Sequence, residues 1–503
     1  MWKGEVSTLT SAPNKPSGIS LLQFVGLGLV FAVLATANGA GYRYGVSDQA
    51  FYIPVVTRAL EPLAFPHDAA LIDAQGRLML ADELLAAIVR RTGLSIESLF
   101  FVTYVLSLAL IWAALAAIGA RIYSSIWGTI ALGAAFTLRH RIPRTSANSF
   151  EPYFHPRMLA FALGLLAVAA LLRRRYLPAI ALIAIGAVVH VTTALWFSML
   201  IGVALVVLER RLRPIAIAIA VAVIAMATWM FTAGPLRTRM DGLWLQAVAG
   251  KDSLFASQWP LWAWAANLAL LGVLWWAHRR RAARGDASPE DGALVGGATA
   301  LVVFFLATLP LVETHLAFPV QLQISRIFWL VDALATIYVL ALFRNERTMR
   351  IVAVAIVALS VARGVYVMKV ERPDRGLFAL HLAESPWVDV MQWLSTEPIS
   401  THVLADPGHA WKYGASVRVA AGRDVFLEDV KDSAIAIYSR DVAARVIERA
   451  AAMQDFSSLS AERARELSSR YDLNYLVTEA ELPLPIAYEN DRFHIYRLKD
   501  IDR

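Results

Sequence analysis

Apolar runs close to the roughly 20 residues needed to cross a bilayer recur along most of the chain, separated by short polar turns. They fall at about 19–39, 98–119, 124–138, 157–172, 177–190, 193–208, 214–233, 260–277, 292–311, 327–343 and 350–368, and predict about eleven transmembrane helices. The stretch 176–208 reads either as one long tilted helix or as two short ones meeting near "VVHVTT". Two segments of another kind, "DQAFYIPVVTRAL" and "ADELLAAIVRRTG", have amphipathic helical spacing and predict helices lying along the interface, inside a long loop at 40–97. After about residue 369 the pattern becomes that of a soluble α/β unit. There "SPWVDVMQWLS" predicts a helix, and "THVLADPGHAWKYG" a strand, a turn and a loop. "LSAERARELSSRYDLNYLVTEAE" predicts a helix running into a strand, and "IAYENDRFHIYRL" a hairpin. The chain thus divides into a helical polytopic membrane part, 1–369, and a C-terminal α/β domain, 370–503.

Composition agrees with this division. The 503 residues are 58% hydrophobic and 17% charged, against about 45–50% and about 25% in soluble domains. The absence of cysteine excludes disulfides, thiolate metal sites and cysteine nucleophiles. A net charge of +7 would suggest nucleic acid as a partner of a soluble protein, but here arginines gather in short loops, the pattern that orients membrane spans. Nucleic acid is therefore not expected as a partner. "RRR" (173–175), "ERRLR" (209–213), "HRRRAAR" (278–284) and "RNERTMR" (344–350) are expected on the cytoplasmic side. Only the two-helix reading of 176–208 keeps the first two of these together. The first run, after Lys3 and Lys15, reads as a retained span with the N-terminus cytoplasmic. The segments 40–97, 139–156, 234–259, 312–325 and everything after about 369 then fall outside. No internal repeat of 20–50 residues is evident.

Candidate chemistry lies in those outside segments. Asp48, in "YGVSDQAFYIP", is a helix N-cap, a general base or a ligand to a divalent ion; Tyr44 and Tyr52 beside it are interfacial aromatics or sugar-facing groups. Asp68 in "AFPHDAAL" is a turn residue or a second catalytic carboxylate, and Asp82 with Glu83 reads as a solvated helix start. "RHRIPRTSANSFEPYFHPR" sets Arg139, Arg141, Arg144 and Arg157 on the face where arginine is scarce, as headgroup contacts or as a fork for a lipid phosphate or pyrophosphate. Glu151 and His155 stand in the same loop, His155 as a structural histidine, a proton shuttle or a hydrogen-bond donor to phosphate. Glu313, His315 and Arg326 in "VETHLAFPVQLQISRIFW" and His190 in "VVHVTT" complete the set, with Arg326 read as a phosphate clamp ahead of a snorkelling anchor. Glu313 and His315 lack a third metal ligand nearby in sequence.

In plan the chain resembles the GT-C superfamily of polytopic glycosyltransferases that use polyprenyl-phosphate-linked sugars. The features shared are a first span entering from inside, a long first external loop with an early aspartate ("VSDQAFY") and a second downstream (Asp68), short middle helices, and an external C-terminal α/β domain. It is also similar to bacterial multipass proteins containing "EPYFHPR" and "VVHVTTALWF"-type segments. Where many GT-C members carry an acidic pair, Asp48 is followed by Gln49 and Ala50, and no "WWDYG" motif is present. The resemblance implies an inverting transfer from a polyprenyl-(pyro)phosphate donor, with the membrane's lipids and a glycan, lipid or protein acceptor as partners, at the bacterial inner membrane with the C-terminal domain periplasmic. Asp48 would take the acceptor proton, while the loop arginines and Arg326 would hold the departing phosphate. A divalent cation, Mg or Mn, stays open as a cofactor. A surface-polysaccharide polymerase or ligase, and a lipid-linked-sugar transporter or flippase, are the alternatives.

Overall fold

Each of the eleven apolar runs forms a helix in the computed structural model, which describes residues 20–77 and 79–499. The N-terminal stretch with Lys3 and Lys15 lies outside the described residues. Among the described residues, seven helices are long and apolar enough to cross a membrane, and three more, Ile126–Thr137, Pro156–Leu171 and Tyr176–Val189, are apolar but shorter. The chain is accordingly a helical membrane protein with a small C-terminal sheet. The stretch 176–208 is two helices, Tyr176–Val189 and Val191–Leu208, broken where His190 turns extended (φ −156°, ψ 96°). The helix Arg213–Thr232 is apolar all round and buries none of its residues, as suits a segment surrounded by lipid.

Small residues let the apolar helices approach closely where no water drives them together. A Cβ on Gly297 would stand 2.4 Å from the Leu200 carbonyl oxygen, so the helices Val191–Leu208 and Pro289–Glu313 meet backbone to side. Phe161 stacks on Trp329 with centroids 3.9 Å apart. Buried polar groups find partners across helices: Asn38 Nδ2 donates to Ser360 Oγ (3.2 Å), which lies 2.6 Å from Thr137 Oγ1.

The two ends of the bundle differ in chemistry. At one end the basic turns meet acidic partners: Arg174 pairs with Glu290 (2.6 Å), Arg281 with Asp291 (3.1 Å) and Arg344 with Asp286 (3.2 Å). At the other end the remaining connections touch one another. The Arg43 N–H donates to the Pro152 carbonyl (2.8 Å), Arg144 pairs with Asp252, and Arg239 bridges to Leu316. The C-terminal part sits on this second end, where Tyr42–Arg43 pairs in parallel with Phe378–Ala379.

The loop at 40–97 is built of three helices, Gln49–Leu60, Ala69–Gly76 and Ala81–Thr92; the middle one has no counterpart in the amphipathic pattern. Asp82 corrects the expectation of a solvated helix start. It is enclosed, both carboxylate oxygens lack a hydrogen-bond partner among the described residues, and burial raises its pKa to about 8.

After residue 371 the chain forms a five-stranded sheet in the order Asp424–Val425, His402–Leu404, Tyr475–Thr478, His494–Arg497, Ile486–Glu489. The first three strands are parallel and the last two antiparallel. Alternate residues face opposite sides. Val403, Val425 and Ile495 pack on the helix Pro386–Ser395, while Leu404, Leu476 and Tyr496 pack on Arg440–Ala452 and Ala461–Tyr471. Where a loop was expected after the strand at 402–404, His409–Tyr413 and Val417–Ala420 form short helices.

Candidate active site

The turn entering the helix Gln49–Leu60 explains where Asp48 points. Gly45 (φ 76°) and Ser47 (φ 54°) take left-handed conformations, and Gln49 staples the turn: its Oε1 accepts from the Gly45 N–H (2.7 Å) and its Nε2 donates to the Phe154 carbonyl (3.2 Å). Asp48 is not a capping residue. Its backbone is already helical (φ −69°, ψ −11°) and its side chain makes no capping bond. Its carboxylate turns instead to partners far away in sequence. Lys431 Nζ lies 2.7 Å from Oδ1, while His155 Nε2 and the Tyr153 hydroxyl each lie 3.4 Å from Oδ2. Burial works against the charged form, but Lys431, with His155 and Arg157, outweighs it and holds the carboxyl well below the usual range.

This carboxylate opens into a cavity of about 300 Å³. The bundle contributes His155, Arg157, His190 and Arg326 to its lining, the helix Gln49–Leu60 adds Tyr52, and external turns add Lys251 and Gln323. The roof is the segment around the short helix Asp429–Ile435, including Lys431 and Tyr438. Asp48 is the single carboxylate in the lining, facing the cations Arg157, Arg326, Lys251 and Lys431. Arg157 is tied from behind by Glu151, which also accepts from Asn148 Nδ2 (3.0 Å). The Arg326 side chain makes no hydrogen bond or ion pair with the described residues, and its Nε is buried without a partner. Among the described residues Lys251 Nζ donates to the Val430 carbonyl alone (3.1 Å); burial, and then nearby Lys431, lower its pKa.

Two helices begin at this cavity, and each is capped by a histidine. The Arg157 N–H donates to His155 Nδ1 (3.2 Å) and the Thr193 N–H to His190 Nδ1 (3.3 Å). A neutral ring that accepts at Nδ1 carries its proton on Nε2. His155 is neutral at pH 7, because burial and then Arg157 push it down to about 4 against the pull of Asp48. Its Nε2–H therefore faces Asp48. The helices Pro156–Leu171 and Val191–Leu208 bring their partial positive ends to the same space. The arrangement can hold an anion against one carboxylate base.

The other residues singled out in the sequence stand elsewhere. Asp68 is fully enclosed beneath the C-terminal part, accepting from Arg418 Nε (2.7 Å), from Arg445 and from the Val425 N–H (3.1 Å), and does not line the cavity. Tyr44 is buried edge-on against Phe100 and does not line the cavity. Arg139 lies 3.8 Å from Glu151, behind Arg157; Arg141 is exposed on a two-strand hairpin; Arg144 is drawn away by Asp252. Exposed Glu313 accepts from Ser257 (2.5 Å), and His315 lies edge-on to Phe255. Neither lines the cavity.

Lys251, Lys431, Gln323 and Tyr438 line the cavity without having been singled out. A signal existed for two of them. The chain has seven lysines among 47 basic residues, and Lys251 and Lys431 are two of the seven. The donor set does not suit a divalent cation. A hard cation takes several oxygens, whereas the single lining carboxylate is engaged by an ammonium and faces three more cations. Among the described residues no group of three or more His, Asp or Glu could hold a metal ion.

No family model matches the chain, and no curated protein matches it. Among solved structures, the Archaeoglobus fulgidus oligosaccharyltransferase in complex with Zn and sulfate aligns over 90% of this chain and 68% of that chain, at 12% identity and a TM-score of 0.37. A likeness at that level carries no functional weight, and the chemistry of the cavity has to stand alone.

Proposed function

We propose that this chain is an integral-membrane glycosyltransferase that moves a sugar from a polyprenyl-(pyro)phosphate donor to an acceptor hydroxyl, on the extracytoplasmic side of a bacterial inner membrane. One observation carries the reading: a single carboxylate faces four cations and two helix N-termini in one cavity, at the end of the bundle opposite the basic turns. Arg326, with no partner of its own, is the natural seat of a donor phosphate oxygen, with Arg157 and Lys251 beside it. The sugar would then lie between that phosphate and Asp48.

In the transfer, the acceptor oxygen bonds to the anomeric carbon as the bond from that carbon to the phosphate oxygen breaks. The acceptor proton goes to Asp48, and the electron pair of the broken bond leaves with the phosphate. The cations stabilise the charge that develops there. Attack opposite the leaving phosphate inverts the anomeric centre. The four cations of the lining would supply the positive charge that neutralises it.

The test uses purified protein with polyprenyl-phosphate and polyprenyl-pyrophosphate sugars, reading sugar transfer or release. Asp48→Asn is expected to abolish turnover while the protein stays folded. Full turnover in that variant would remove Asp48 from the role of base.

A further inference from the structure

Lys431 occupies an unusual position for a cation in such a site: it neutralises the group that has to act as a base. Its Nζ is 2.7 Å from Asp48 Oδ1 and 3.3 Å from Ser47 Oγ, and it lies over the Phe51 ring at 5.9 Å. A carboxylate so paired keeps its charge but has little affinity for a proton, and general-base efficiency follows that affinity. Tyr153 and His155, the other partners of Asp48, are neutral donors. Lys431 is thus the one fully charged group in direct contact with the carboxylate.

The segment that carries Lys431 is fixed. Lys251 Nζ donates to the Val430 carbonyl (3.1 Å), Trp244 Nε1 to that of Ala436 (2.6 Å), Gln321 Nε2 to that of Ile437 (3.2 Å), and Gln323 Nε2 to the Tyr438 hydroxyl (2.8 Å). The backbone of the roof is held at three carbonyls and the Tyr438 ring at its hydroxyl, while a lysine side chain keeps a flexible four-carbon stem and a point charge free to change partners. Arg157 has no such freedom, because Glu151 and the Ser146 carbonyl (3.2 Å) both engage it.

We propose, resting on the donor reading above, that Lys431 is an exchangeable positioning residue. In the free protein it holds Asp48; when a phosphoryl group enters the cavity, the ammonium turns to the phosphate and leaves Asp48 free to accept a proton. The same burial that Lys431 opposes then raises the proton affinity of the carboxylate. Binding of the donor and arming of the base become one event, so the base is weak until a donor is present.

The experiment is a double-mutant cycle on the full chain in detergent, with a short-chain polyprenyl phosphate as the probe and titration calorimetry as the readout. Lys431→Met is expected to weaken binding about tenfold, because a close cation is lost. Asp48→Asn is expected to tighten binding about tenfold in the wild-type background, by freeing Lys431, and by less than about twofold in the Lys431→Met background. Equal tightening in both backgrounds overturns the exchange and leaves the donor reading standing. Failure of the wild type to bind the probe, or binding unaffected by Arg326→Met, overturns the donor reading itself.

A second measurement needs no change at Lys431. Binding near pH 5, followed in buffers of different ionisation enthalpy, is expected to take up protons in the wild type beyond what Asp48→Asn takes up. Identical proton uptake by the two proteins overturns the exchange.

Discussion

Arg418 Nε lies 2.7 Å from Asp68 Oδ2, and both side chains are closed off from solvent. The pair joins the loop that follows the first helix to the sheet-bearing C-terminal part. Arg445 reaches the other oxygen of Asp68, and the two far nitrogens of Arg418 engage Asp432 at 2.6 and 3.1 Å. Burial disfavours the charge on Asp68, yet Arg418 and then Arg445 hold its carboxyl far below the usual range. The roof of the cavity, including Lys431, belongs to the part that this latch holds down.

Removing one side of such a pair leaves a buried charge unmatched, at a cost of about 3–5 kcal/mol. Arg418→Met is expected to be worse than Asp68→Asn, because it takes the guanidinium from Asp432 and one cation each from Glu428 and from Asp68, which keeps only Arg445. Thermal unfolding and protease sensitivity of the C-terminal part should rank the variants in that order. A wild-type melting temperature in Arg418→Met would show that the latch contributes nothing.

Glu428, in the same cluster, gives the pH dependence. Burial, against the pull of Arg418 and with the push of Asp432, raises its pKa to about 7. The unfolded value is about 4.3. Between those values the folded protein binds a proton that the unfolded chain does not, so the stability contributed by Glu428 falls as pH rises from about 4.3 to about 7 and is level above. Glu428→Gln is expected to remove that slope, matching the wild type near pH 4 and exceeding it at pH 8 by on the order of 3–4 kcal/mol. Melting curves across that range settle the sign; a variant less stable than wild type at pH 8 would reverse it.

The membrane helices were legible because length and apolar content define them without tertiary information. The cavity was half legible for a related reason. His155, Arg157, His190 and Arg326 are ionisable groups at or near the ends of apolar helices, where an uncompensated charge marks a purpose. Lys251 and Lys431 carried no such mark, since both lie in segments of ordinary polarity and reach the cavity only through tertiary packing. Asp68 shows the converse. Beside Phe65 and Pro66 it looked like Asp48, and nothing local could reveal an arginine 350 positions onward. Gln49, standing where a second acid was expected, is a backbone staple facing away from the cavity, a role invisible until the Phe154 carbonyl is in place.

Arg326 separates stability from function. A cation with a buried, unpartnered Nε costs the free protein stability that a ligand anion would restore. Arg326→Met is expected to leave the melting temperature of the ligand-free protein unchanged or higher, while abolishing the stabilisation that a polyprenyl phosphate gives the wild type. Loss of stability in the ligand-free variant would mean that Arg326 supports the bundle rather than a ligand.

The capping histidines allow a finer division within single side chains. His190 spends Nδ1 on the N-terminus of the helix Val191–Leu208 and leaves Nε2–H for the cavity it lines. Asparagine is among the best N-caps, and alanine among the worst by about 1 kcal/mol. His190→Asn is therefore expected to keep the melting temperature while losing the cavity donor, weakening polyprenyl-phosphate binding by about three- to tenfold for one hydrogen bond. His190→Ala should lose that affinity and stability as well. The same exchange at His155 acts on Asp48 rather than on the phosphate, because its Nε2–H faces the carboxylate. His155→Asn should accordingly change the pH dependence of turnover more than it changes phosphate affinity. Equal losses of phosphate affinity at the two positions would mean that both rings address the same group.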